Sequence, residues 1–162
     1  MSQLPFLKFG EGAGISKNSF LEEAEKWLSE KEFLDLKKAD FDFLQEGCKN
    51  NLLKEYTGFE LSLRKEIALY RENSKSKKEF NQSWEVLSKA LLEGNPLEVE
   101  KKLFFLRWQT IEDLALGFSF SLEAVAAFFV KLQIVEKIGE FDKDKGTVKF
   151  DELTEVSDEK IR

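Results

Sequence analysis

The arginines are the side chains of this chain best suited to chemistry at a specific site. Only four of the 25 basic residues are arginines, and three of these, Arg64, Arg71 and Arg107, lie inside predicted helices. A guanidinium presents a rigid fork of donors that binds one carboxylate or phosphate through two parallel hydrogen bonds, which a lysine ammonium cannot do. We therefore expect these residues to bind acidic groups, either within the protein or on a ligand or partner.

Arg107 and Glu100 lie on the apolar side of a helix predicted over residues 96–116. Their Cα atoms are about 10 Å apart at the helical rise, so a direct pair requires both side chains to lean together, and a carboxylate from another helix fits equally well. In a structural interpretation, Arg107 lays its stem over apolar surface, pairs with a carboxylate and flanks Trp108 or another ring. In a functional interpretation, it binds a carboxylate or phosphate of a partner or ligand.

Arg64 and Arg71 lie two turns apart at one edge of another apolar helical stripe, and Glu60 precedes Arg64 by one turn. This spacing predicts a charge network between helices, with a ligand site as the alternative. Phe105 falls on the polar arc of its helix, where it can either seat in a partner or dock the chain's own tail, which is the simpler interpretation. The candidate structural or interface network is Arg64, Arg71, Glu60, Glu100, Arg107, Trp108 and Phe105.

The residue composition excludes most familiar enzyme chemistries. The chain has no histidine and one cysteine, which excludes Ser-His-Asp and Cys-His catalysis, histidine-bearing zinc sites and an intramolecular disulfide. Neighbouring carboxylates such as Glu112 and Asp113 point about 100° apart on a helix. A calcium loop centred on Gly146 would place Phe141 and Lys143 at ligand positions, so that interpretation fails. We therefore predict a non-enzyme with no catalytic residue, no metal and no cofactor. The alternative, an enzyme, would have to work with carboxylates, lysine, tyrosine or a carboxylate-bound metal alone.

The charge balance and the length of the apolar runs limit the partners. A net charge of −6 and a pI near 5.0 disfavour a nucleic-acid-binding surface, which requires clustered lysines and arginines. The longest apolar run, AVAAFFV at 124–130, is far shorter than the roughly 20 residues of a membrane-spanning helix. No leader segment is recognisable before the first helix. These features predict a soluble, cytoplasmic protein that does not bind nucleic acid.

Helix-start signals define the predicted fold. Capping boxes, in which a serine or threonine is followed three residues later by glutamate, occur at Ser19, Ser29, Thr57 and Ser76. Two further helices are predicted to start at Asn95, which precedes Pro96, and at Ser121. The helix after Ser121 is apolar nearly all round and is expected to be the central one. The pattern predicts an all-α, single-domain bundle of about six or seven helices.

The ends of the chain differ from this helical region. Residues 1–18 are predicted to form an extended N-terminal arm that ends in a Gly-rich loop, GEGAG, which lacks the Lys-Ser/Thr of a phosphate loop. Residues 19–155 are predicted to form the helical domain, with a short turn, hairpin or helix near its C-terminal end. Residues 156–162 are predicted to be a frayed tail.

Three segments carry a resemblance to a known family: FELSLRKEIALYRE, NPLEVEKKLFFLRW and FSLEAVAAFFVKLQIVEKIGEFDKDKG. They resemble an uncharacterised bacterial family that is generally encoded beside the subunits of V/A-type rotary ATPases. The matching residues are Leu63, Arg64, Arg71, Asn95, Pro96, Leu97, Glu98, Glu100, Arg107, Trp108, Lys131, Leu132 and Gln133, and LPFLKF near the start is also similar. The resemblance covers residues 50–153 well and the preceding part loosely.

This resemblance implies a non-catalytic accessory or stalk-associated subunit of a V/A-type ATPase. One helical module of this size is similar to a reduced form of the central-stalk subunit, called C in archaeal-type enzymes and d in eukaryotic ones, which caps the membrane rotor ring. It implies ATPase subunits as partners and peripheral association with a complex at the cytoplasmic face of the inner membrane. The residues alone leave open a free cytosolic adaptor or regulator that binds an acidic peptide or anion through Arg64, Arg71 and Arg107.

Overall fold

The structure, a computed structural model, describes residues 4–41, 49–76, 86–119 and 121–141. All regular secondary structure in these ranges is helical. The α-helices are α1 Lys17–Trp27, α2 Glu30–Lys37, α3 Asn51–Ser76, α4 Pro96–Leu114 and α5 Leu122–Gly139, and a 3₁₀ helix spans Lys89–Leu92. The all-α class is confirmed over the described residues, where five α-helices are present. The predicted total of six or seven is not confirmed, and the predicted C-terminal turn and tail lie outside these ranges.

Local capping chemistry sets the starts of α2, α4 and α5 as predicted. Ser29 and Glu32 form a reciprocal capping box at α2. The Asn95 side chain accepts a hydrogen bond from the Glu98 N–H at the start of α4, and Pro96 occupies the first turn, where its missing N–H costs nothing. Ser121 caps α5 in the same way.

Two of the other three predicted capping boxes, those at Ser19 and Thr57, are wrong. The Ser16 hydroxyl caps α1 by accepting the Ser19 N–H, so that helix starts before Ser19. Thr57 lies inside α3. Ser76 is the last residue of α3, and Glu79, the second residue of the box predicted there, lies outside the described residues. The buried side chains of α3 begin before Thr57, so the helix that carries them starts earlier, at a cap formed by the Asn50 side chain, which accepts the Leu53 N–H.

Helix α5 is the central element of the bundle. It packs against each of the other four described α-helices, and nine of its residues are buried, as its nearly all-round apolar sequence predicts. Phe129 stacks on Phe20 of α1, with the ring centroids 5.6 Å apart. A second apolar cluster joins α3 and α4 through Leu63, Leu103 and Leu87, which lies just before the 3₁₀ helix. No helix within the described ranges has the length and apolar character needed to cross a bilayer.

Two buried polar side chains join the loops to this bundle. The Asp35 carboxylate of α2 accepts the backbone N–H groups of Lys49 and Asn50, at 2.9 and 2.8 Å, directly before α3 begins. The Gln133 amide of α5 accepts the Phe41 N–H at 2.8 Å and donates to the Ala39 carbonyl at 3.2 Å. These bonds fix the chain on both sides of residues 42–48 and thereby position α3.

Candidate functional site

The acidic partner of Arg107 is Glu60 of α3. The Arg107 Nε donates to Glu60 Oε2 at 2.7 Å, and Nη2 donates to Oε1 at 3.0 Å. The Glu60 side chain is 1% exposed and that of Arg107 is 11% exposed. This bidentate geometry satisfies both oxygens of a buried carboxylate and fixes α4 against α3.

Arg64 shares the same carboxylate. Its Nε donates to Glu60 Oε1 at 2.8 Å from one turn further along α3, and its Nη2 donates to the Phe41 carbonyl at 3.1 Å. One buried negative charge therefore lies between two guanidiniums, and the three side chains together carry one net positive charge. Because the Arg64 side chain is 45% exposed, this excess charge is accessible from solvent.

Burial and charge shift the pKa values of two groups around Glu60. Burial lowers the pKa of Arg107, but the hydrogen bonds and attraction of Glu60 outweigh it, so the pKa lies above its ordinary value and the guanidinium stays charged. Burial and the neighbouring Glu60 raise the pKa of the Tyr56 phenol well above its ordinary value. The Tyr56 hydroxyl is buried and has no hydrogen-bond partner among the described residues. Arg107 also lies over the Phe104 ring, 5.1 Å from its centroid.

A groove between α3 and α4 brings the three predicted arginines together. It is lined by Arg64, Ile67, Ala68, Arg71, Glu100, Leu103 and Arg107, and its volume is about 280 Å³. Arg71 Nη2 lies 3.6 Å from Glu100 Oε1 across the groove, a contact between exposed charges that is too long for a hydrogen bond. Arg107 and Glu100 therefore line one groove, but each has its main charged contact with a residue of α3.

Trp108 and Phe105 do not line this groove. The ring of Phe9, from the N-terminal arm, packs edge-on against both, with centroids 5.2 Å from Phe105 and 5.8 Å from Trp108. The Lys131 ammonium lies 4.9 Å from the centroid of the Trp108 ring. Phe105 remains 44% exposed. The C-terminal tail that was expected to dock there lies outside the described residues, and the contact is made by the N-terminal arm.

The sequence contains a signal for the buried role of Glu60. Leu53, Tyr56, Glu60 and Leu63 follow each other at helical spacing, and all four are buried. A glutamate inside such a stripe requires a cationic partner, because an unpaired buried carboxylate is strongly disfavoured. Glu60 follows Thr57 by three residues, and this spacing instead resembles a capping box. Tyr56 was not among the predicted site residues, although it belongs to the same stripe.

A larger hollow, of about 560 Å³, lies beside α2. Four lysines line it, but its buried carboxylate, Asp35, already accepts backbone and Lys38 donors. Within the described ranges, no group of three or more Cys, Asp or Glu side chains is placed to hold a metal ion. The candidate site is therefore the groove between α3 and α4 that is lined by Arg64, Arg71 and Arg107, which we call the arginine groove.

Comparison with known proteins identifies one family. No curated protein and no solved structure matches the chain. A family described as proteins of unknown function (DUF2764) matches residues 71–160, which include Arg71, Glu100 and Arg107 but not Glu60 or Arg64. Because the match covers more than half of the chain, the protein belongs to the DUF2764 family.

Proposed function

We propose that this protein is a non-catalytic accessory or central-stalk-like subunit of a V/A-type rotary ATPase, held peripherally at the cytoplasmic face of the inner membrane. Support comes from the resemblance of α3, α4 and α5 to the uncharacterised family encoded beside such ATPases. Membership of a family of unknown function is compatible with it. The proposed role is structural, because the chain joins subunits of the ATPase. This ATPase either uses ATP to transport ions or uses ion transport to synthesise ATP.

The observation that carries a docking role is the arginine groove. Arg71 is 68% exposed, and Arg64, which is 45% exposed, lines the same groove. Arginine is enriched at protein interfaces because its planar fork pairs with carboxylates while its stem packs on apolar surface. In a chain with a net charge of −6, a groove with converging guanidiniums distinguishes one face of the bundle from the rest.

The test is affinity capture from native membranes and cytosol with the tagged full-length chain as bait. Proteins that remain after a salt wash are identified by mass spectrometry for the wild type, Arg71→Glu and Lys65→Glu. Lys65 is an exposed residue of the same helix outside the groove. We expect ATPase subunits with the wild type and Lys65→Glu, and their loss with Arg71→Glu. An ATPase of normal subunit stoichiometry in cells that lack this chain would contradict the proposal.

The same groove supports a second candidate function, a free cytosolic adaptor or regulator that binds an acidic peptide or anion through Arg64, Arg71 and Arg107. The concave, basic geometry between α3 and α4 is the observation that favours it. This role predicts calorimetric binding of an acidic ligand by the purified chain and no ATPase subunits in the capture experiment. Capture of the ATPase together with calorimetric silence would contradict it.

A further inference from the structure

The three guanidiniums of the groove differ in how many of their N–H donors are available to a ligand. Arg107 is mostly buried and commits Nε and Nη2 to Glu60. The Arg64 Nε donates to Glu60, and its Nη2 donates to the Phe41 carbonyl. Arg71 is the most exposed of the three, and its acidic neighbour in the described structure, Glu100, is 3.6 Å away. The donors available to a ligand are therefore those of Arg71, followed by the outer edge of Arg64.

Glu100 occupies the position where a ligand carboxylate would be expected. It lies across the groove from Arg71, is 40% exposed, and also acts electrostatically on Arg107. A contact at 3.6 Å between exposed charges contributes little stability, because water and mobile side chains weaken it. A better aligned carboxylate can therefore replace Glu100 at Arg71 at little cost.

The rest of the lining selects for an acidic peptide rather than a polyphosphate. Three arginines are opposed by Glu60 and Glu100, so the site carries one net positive charge, which balances one ligand carboxylate. Between the charges, Ile67 and Ala68 provide aliphatic surface, and Leu103 behind them is buried. A segment with glutamate or aspartate beside leucine-like side chains matches both features.

We propose that the groove binds an acidic, aliphatic segment of a protein partner, that Arg71 and the outer edge of Arg64 are the ligand-binding groups, and that Glu100 is an internal competitor which the ligand carboxylate displaces. Arg107 and Glu60 position these groups and do not themselves bind the ligand. This inference rests on the proposed docking function and specifies its chemistry.

The test is a fluorescence anisotropy titration of the purified full-length chain with three labelled peptides. They share leucines at helical spacing and carry glutamate, glutamine or lysine at the intervening positions. We expect binding of the glutamate peptide only. Arg71→Gln is expected to weaken it by about tenfold, the effect of losing a charge-assisted hydrogen-bond pair. Glu100→Gln is expected to tighten it several-fold, and Lys65→Gln is expected to leave it unchanged.

The gain of affinity in Glu100→Gln is the decisive result, because misfolding or a purely structural role of Glu100 cannot tighten binding. Equal binding of the three peptides, or weaker binding by folded Glu100→Gln, would overturn the inference. Displacement of the peptide by micromolar inorganic phosphate would also overturn it in favour of a phosphate site. Circular dichroism verifies that each variant is folded.

This titration can fail independently of the ATPase capture. Peptide binding without captured ATPase subunits would retain the groove chemistry and remove the ATPase role. Capture of ATPase subunits that persists in Arg71→Glu, together with no peptide binding, would retain the ATPase role and remove the groove as the docking surface.

Discussion

Glu60 and Arg107 are 47 residues apart in sequence and are joined by two hydrogen bonds between α3 and α4. The carboxylate is buried, and it also holds Arg64. A pair of this kind specifies one register between two helices, because no other residue of α3 in the described structure offers a buried carboxylate to Arg107. The groove beside it exists in its present form only while this register is kept.

Replacement of Glu60 by Gln is therefore expected to be strongly destabilising. It leaves the buried Arg107 without a counter-charge, which costs about 3–5 kcal/mol in comparable sites. Urea denaturation followed by circular dichroism measures the free energy of unfolding. Glu55→Gln, at an exposed position of the same helix, should change it by less than about 0.5 kcal/mol. A Glu60→Leu, Arg107→Met double variant should recover most of the loss, and a loss under about 1 kcal/mol in Glu60→Gln would contradict the assigned role.

Arg107→Lys tests whether the fork of the guanidinium matters beyond its charge. Lysine cannot make both parallel bonds to Glu60, and we expect a loss of about 1.5–3 kcal/mol, as for a charge-assisted hydrogen bond that is removed. The same denaturation experiment measures it. Arg71→Lys keeps the exposed charge near Glu100 and should cost less than about 0.5 kcal/mol. Similar losses in both variants would argue against a special role of Arg107.

The parts of the fold that local chemistry determines could be predicted from the sequence. The starts of α4 and α5 follow from Asn95 with Pro96 and from Ser121, because capping requires only neighbouring residues. The central position of α5 follows from its nearly all-round apolar sequence. The capping box at Thr57 failed because a local pattern was outweighed by the burial of the whole stripe on α3.

The contacts of the candidate site depend on long-range packing, which spacing does not encode. The sequence placed Glu60 beside Arg64 but left the partner of Arg107 open between Glu100 and another helix. The register between α3 and α4 decides this point by placing Glu60 at Arg107 and Glu100 at Arg71. The contact between Phe9 and Phe105 likewise depends on the path of the N-terminal arm, which has no periodic pattern.

Gln133→Leu is expected to destabilise the joint between α2 and α5. The Phe41 N–H and the Ala39 carbonyl would lose their partner, and unsatisfied groups of this kind cost about 1–3 kcal/mol each. Thermal and urea unfolding measure the change. Gln109→Leu, an exposed glutamine on α4, provides the matched control. If the two variants had equal stability, the Gln133 amide would not be needed at this joint.

Asp35 is expected to contribute stability that depends on pH. Burial raises its pKa, but hydrogen bonds from the N–H groups of Asn50 and Lys49 and from Lys38 outweigh it, so the pKa in the folded protein lies below the ordinary value of 3.8. Such a group contributes fully above its unfolded pKa, and the contribution is lost as the pH falls through the folded pKa. The stability difference between wild type and Asp35→Asn should therefore be constant near neutral pH and shrink below about 3.8. A pH-independent difference for Asp35→Asn would contradict the prediction.

Phe9 and Phe105 should show direct energetic coupling, because their rings meet edge-on with centroids 5.2 Å apart. A double-mutant cycle with Phe9→Ala and Phe105→Ala is expected to give an interaction free energy of about 0.5–1.5 kcal/mol. Phe6→Ala, at a neighbouring position of the arm that is 86% exposed, should change the unfolding free energy by less than about 0.5 kcal/mol. Additive effects of Phe9→Ala and Phe105→Ala would mean that the N-terminal arm does not hold this contact in solution. Phe105 would then be available to a partner, the alternative that its position on the polar arc of α4 first suggested.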